Sequence, residues 1–129
     1  MKKILASIIL LFAVACTDKV AEESAKLKAE TFKIHDDVMP ISMNLEDLKA
    51  NVMKKAESDS TLKSTALDIS LELDKAYTSM EEWMPKLGEA AEMKDGEEKL
   101  KVFVSLKTEG EQIKQKTLDA KKKAEDFLK

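Results

Sequence analysis

The chain holds one histidine and seven methionines, and five of these residues fall into a pattern with chemical meaning. His35, Met39 and Met43 stand at intervals of four, and Met80 and Met84 repeat that interval. On a helix each set lies along one face. A chain reversal near Asp59 sets His35 opposite the region of Glu82 and brings Met80 and Met84 alongside. Imidazole and thioether are soft donors of the kind that select Cu(I). No cofactor is expected; should a metal bind, His35, Met39, Met80 and Met84 are the candidate copper site. The acidic stretch 81–98, with seven acids against two lysines, would concentrate cations near it. The plainer reading of the same residues is packing, because methionine fills irregular helical cores. Histidine–methionine ligation of a b-type haem is a third option, whereas covalent c-type attachment is excluded by the lack of a C-x-x-C-H motif.

Other chemistries find less to work with. The paired acids Asp36-Asp37 and Glu81-Glu82 resemble solvated helix faces more than a catalytic dyad, and only one histidine could support a base. The sequence contains no phosphate-binding glycine loop, nucleophile elbow, metalloprotease helix or calcium loop. We therefore expect no catalytic residues and no enzyme. All 22 basic residues are lysine. The absence of arginine argues against nucleic-acid recognition, where its planar fork dominates. The run Lys121-Lys122-Lys123 reads as a solvated face or a partner for a helix C-terminal dipole.

One further residue has a chemical role to suggest. Lys2 and Lys3 precede an apolar run of eleven residues, Ile4 to Val14. That run is too short to span a bilayer but fits the central region of a signal peptide. Ala13-Val14-Ala15 then leads into Cys16, the only cysteine. The arrangement resembles a bacterial lipoprotein signal, with Cys16 lipidated as the new N-terminus. Plain secretion at the A-x-A site is the rival reading, but it would leave an unpaired thiol in an oxidising compartment. Thr17 rather than Asp follows the cysteine, which by resemblance to enteric lipoprotein sorting rules implies the outer membrane, facing the periplasm. We expect a signal peptide over 1–15, a short tether over 16–19 and a helical bundle domain over 20–129.

Alanine, leucine, lysine, glutamate and methionine dominate, with only three glycines and two prolines, so the fold class is all-α. Three stripes recur at alternating spacings of four and three. The first runs Val20, Ser24, Leu27, Thr31, Ile34, Val38, Ile41, Leu45, Leu48, Val52. The second runs Leu62, Ala66, Ile69, Leu73, Ala76, Met80, Trp83, Leu87. The third runs Phe103, Leu106, Gly110, Ile113, Thr117, Ala120, Ala124, Phe127. Residues 57–61 form a polar turn with Asp59 or Ser60 as a helix N-cap. Pro85 and Gly88 are expected to end the second helix, and Asp95-Gly96 to open the third. Pro40 interrupts the first segment, yet the stripe keeps its phase across it. The expected fold is an antiparallel three-helix bundle with a long kinked first helix, or four helices if Pro40 breaks the chain.

Two blocks carry a family resemblance. His35-Asp36-Asp37-Val38-Met39-Pro40, followed by Met43, resembles the H-D-[DE]-V-M-P-x-M block of small helical lipoproteins of the Bacteroidota, many labelled "viral A-type inclusion protein". Met80-Glu81-Glu82-Trp83-Met84 is similar to their M-x-x-W-M block, and Pro85-Lys86-Leu87 departs where an aromatic usually follows. The resemblance implies a small helical envelope protein and brings no activity, ligand or partner. The functional expectation is a lipid-anchored, non-enzymatic structural or interaction module. It would meet the membrane through Cys16 and a protein partner through exposed apolar positions such as Phe32 and Leu71. The alternative is a soft-metal-binding periplasmic lipoprotein.

Overall fold

The structure, a computed structural model, describes residues 18–129 with their side chains; the expected signal peptide and Cys16 lie outside the described residues. Four α-helices follow in order: α1 (Lys2–Met43), α2 (Leu45–Ser58), α3 (Lys63–Glu92) and α4 (Glu97–Leu128). Asp18 and Lys19, read as tether, are already helical. Among the described residues no helix is long and apolar enough to cross a membrane. Helices α1 and α2 form one bent rod, so the bundle has three rods.

The cause of the bend is local. Pro40 has no N–H to give the carbonyl of Asp36, yet the helix continues past it. The interruption comes at Asn44 instead. Its backbone N–H bonds Ile41 O at 3.1 Å, three residues back rather than four. That leaves the Pro40 carbonyl without its usual partner, and the Asn44 side chain supplies one, Nδ2 to O at 2.7 Å. Regular helix resumes with Leu48 N–H on Asn44 O at 3.2 Å.

The bend redistributes the packing. Helix α1 lies chiefly on α4, and α2 lies chiefly on α3. Ion pairs mark the register. Lys107 meets Glu30 at 2.8 Å and Lys114 meets Asp37 at 3.1 Å, both 77 residues apart, so α1 and α4 run parallel. Lys86–Glu109 and Lys123–Glu72 have converging spacings of 23 and 51 residues, so α3 runs antiparallel to α4.

All three expected stripes are buried along most of their length. They build two core clusters. One, around Trp83 and Phe103, joins α1, α3 and α4 through Ile34, Val38, Met80, Leu87, Leu106 and Ile113. The other is rich in alanine and joins α2, α3 and α4 through Leu45, Val52, Leu73, Ala76, Ala120 and Ala124. In the first stripe Ser42 is buried and its neighbour Ile41 only half-buried, an offset that falls just before the bend.

Two expectations need correction. Helix α3 does not end at Pro85 or Gly88 but runs to Glu92. Pro85 removes one hydrogen bond, to the carbonyl of Glu81, on the exposed side of the helix where water can replace it. Leu87 and Ala90 meanwhile keep the buried stripe going. Phe32 is half-buried against the Trp83 cluster rather than exposed, with Lys28 Nζ 5.9 Å from its ring centre. Asp59 does cap, at the 3₁₀ turn Ser60–Leu62 that leads into α3: its carboxylate accepts from Thr61 N–H at 2.9 Å. Gly96 opens α4 at φ 155°, a backbone conformation that side chains resist.

Candidate functional site

Because the bend carries α2 to α3 and leaves α1 on α4, α1 and α3 touch only lightly. Between them, at the bend, is a groove of about 250 Å³. Its walls are Met39, Ser42, Met43 and Glu46 from the first rod and Tyr77, Met80, Glu81 and Met84 from α3. On each side the residues recur at intervals of three and four, which is why one face of each helix supplies a whole wall.

The register follows from the ion pair Lys49–Asp74, 2.7 Å apart. Ten residues back along the first rod and ten forward along α3 come Met39 and Met84. Six residues along in the same way come Met43 and Met80. By this count the methionines of the two helices fall in the same stretch of the groove. The side chains differ in depth. Met80 is buried, Met39 and Met84 are half-buried against the aromatic core, and Met43 is 65 % exposed.

His35 is not part of the groove wall. By the same register it comes level with Gly88, because the 3₁₀ turn shifts the point of reversal beyond Asp59. Its Nδ1 lies 3.0 Å from Asp36 Oδ1. The structure thus brings together three of the four expected ligands, adds Met43, and leaves the histidine one helical turn away. Among the described residues no three histidine, cysteine or acidic side chains converge on a common point.

The electrostatics of the groove are one-sided. Glu46 and Glu81 are its only charged wall residues. Tyr77 senses both: the hydrogen bond to Glu81 and that residue's charge, then burial and the charge of Glu46, hold its phenol above the ordinary value of 10.0. Sequence reading missed Tyr77 and Glu46. Their spacing of four from Glu81 and Ser42 was visible, but assigning them to one groove needs the register.

The paired acids have structural partners. Asp37 binds Lys33 at 2.9 Å and Lys114 at 3.1 Å, which hold its carboxyl below the usual range. Two further grooves lie between α3 and α4, and the pairs Lys123–Glu72 and Lys86–Glu109 bridge them. At the far end of the bundle, Leu67 and Leu71 are 58 % and 53 % exposed, one turn apart on α3. Leu67 also borders a shallow hollow with Met53 and Ala56. No protein-family model, curated protein or solved structure matches this chain.

Proposed function

We propose that the protein is a non-enzymatic interaction module, anchored by lipid on Cys16 to the bacterial outer membrane and facing the periplasm. The bent rod from Asp18 to Ser58 then acts as a spacer. At 1.5 Å per residue it sets the α2–α3 turn roughly 60 Å from the anchor. Two or more acyl chains, at ~0.8 kcal/mol per buried methylene, hold such a protein stably in the membrane.

The observation that carries this reading is the apolar face near that distal turn. Leu67 and Leu71 stand exposed within the first three turns of α3, beside the hollow formed with Met53 and Ala56. Adjoining exposed aliphatic side chains on a charged surface offer a place for another molecule to sit. The resemblance of the His35–Pro40 and Met80–Met84 blocks to Bacteroidota lipoproteins supports the location and leaves the partner open.

Two variants test the reading. Cys16→Ser should move the protein from the membrane fraction to the soluble one. Leu67→Asp with Leu71→Asp should leave the helical circular-dichroism signal intact and remove a stoichiometric partner from pull-downs of detergent-solubilised envelope. Soluble behaviour of the parent, or pull-downs identical for parent and double variant, would refute it.

A further inference from the structure

We propose that the groove between α1 and α3 binds one soft monovalent cation, Cu(I) or its redox-inert counterpart Ag(I), through the thioether sulfurs of Met39, Met43, Met80 and Met84. This site is independent of the lipid anchor and of the distal apolar face. It also differs from the sequence-based ligand set, since it uses four sulfurs and no imidazole.

Three observations converge on it. First, the four methionines are four of the eight wall residues of one groove, two from each helix. Thioethers are neutral, polarisable donors that favour Cu(I) over divalent ions of the same compartment. Second, the groove's only charged residues are two carboxylates, Glu46 and Glu81, with no lysine in its wall. A chain with 22 lysines thus keeps them out of this groove while they fill the neighbouring ones. Carboxylates at the rim supply the negative charge that neutral sulfurs lack and so favour a bound cation. Third, the methionines are graded in depth. Met80 is fixed in the core, Met39 and Met84 are half-buried, and Met43 is the exposed arm that can fold over an ion. Methionine's three rotatable bonds suit that movement.

A packing role alone accounts for Met80 but not for Met43, whose side chain is 65 % exposed and fills no core space. Nor does it account for the lysine-free wall.

The test uses the full chain carrying Cys16→Ser, so that no thiol competes for the metal. Ag(I) is titrated in chloride-free buffer, and Cu(I) is titrated anaerobically against a colorimetric chelator. One equivalent of each should bind, and X-ray absorption of the Ag(I) form should show sulfur alone in the nearest shell. Met43→Leu, whose site is too exposed to disturb folding, should weaken binding tenfold or more. Met84→Leu, which preserves side-chain volume, should do the same. His35→Gln and Met53→Leu should bind like the parent. Thioethers carry no proton, so affinity should stay level between about pH 5.5 and 8, whereas a histidine ligand would lose affinity below about 6.5. The proposal is overturned if no equivalent is retained, if nitrogen appears in the shell, or if Met43→Leu binds as tightly as the parent.

Discussion

Gly110 shows how much can rest on one missing methyl group. It is buried in the third stripe, and a Cβ built there would lie 2.6 Å from Trp83 Cζ2 and 3.3 Å from Ile34 Cγ2. The indole is fully buried, and its Nε1–H donates to Leu106 O at 3.1 Å, so the ring cannot simply move aside. Gly110→Ala should therefore cost about 1–3 kcal/mol of unfolding free energy despite alanine's higher helix propensity. Urea denaturation followed by the fluorescence of this single tryptophan measures it, and a neutral result would contradict the packing described. The stripe told us that position 110 is buried. It did not reveal that Trp83 fills the space, because that depends on the register between α3 and α4. The same limit applies to the methionines: their spacing was legible, but the six-residue shift that exchanges His35 for Met43 was not.

At the scale of elements, two junctions decide how the helices meet. At Asn44 the chain trades one backbone hydrogen bond for a side-chain one, and the rod bends without breaking. At the end of the bundle remote from the α2–α3 turn, Lys99 of α4 is 7 % exposed and closes the end of α3. Its Nζ donates to Met93 O at 2.9 Å and Ala91 O at 3.3 Å, and pairs with Asp95 at 3.1 Å. A positive charge among the last carbonyls of a helix satisfies orphan acceptors and complements the helix dipole. Lys99→Met keeps the aliphatic stem and removes the donor. It should lower stability by about 1–3 kcal/mol, measured by chemical denaturation, whereas Lys101→Met, at an exposed site, should change little. In the sequence Lys99 looks like any other lysine in an acidic run. The polar turn and the Asp59 cap were legible because capping is local chemistry. Pro85 misled because a proline signals the loss of one bond, while the continuing apolar stripe decides whether the helix survives it.

For the molecule as a whole, some charges bridge rods and others brace a single helix or cap, and the sign of each shift sets the pH response. Glu30, Asp37, Asp59 and Asp126 are held below their ordinary values, first of all by hydrogen bonds from Lys107, Lys33, Thr61 and Lys129 respectively. Their contribution is complete above the ordinary carboxylate range and is lost as pH falls below it. Lys49, Lys86, Lys107 and Lys129 are raised, chiefly by Asp74, Glu109, Glu30 and Asp126, and Tyr77 is raised by Glu81. Their contribution is complete below about pH 10 and is lost above it. The melting temperature should therefore be level from about pH 5 to 9 and fall on both sides, with a smaller fall in high salt because these pairs are exposed. A melting temperature that rises on acidification from neutral pH would contradict this assignment. The three-rod architecture was legible throughout the sequence, since seam spacing is a property of each helix alone. The choice of partner for each seam was not, because the bend at Asn44 divides the first rod between α4 and α3.

The most direct test of the proposed role is site-specific photo-crosslinking in intact cells, with a photoreactive residue placed at Leu71 or, as a control, at Lys122 on α4. Position 71 should give one discrete adduct, recovered in the membrane fraction and abolished by Leu67→Asp, and position 122 none. The same adducts from both positions, or none from position 71, would contradict it.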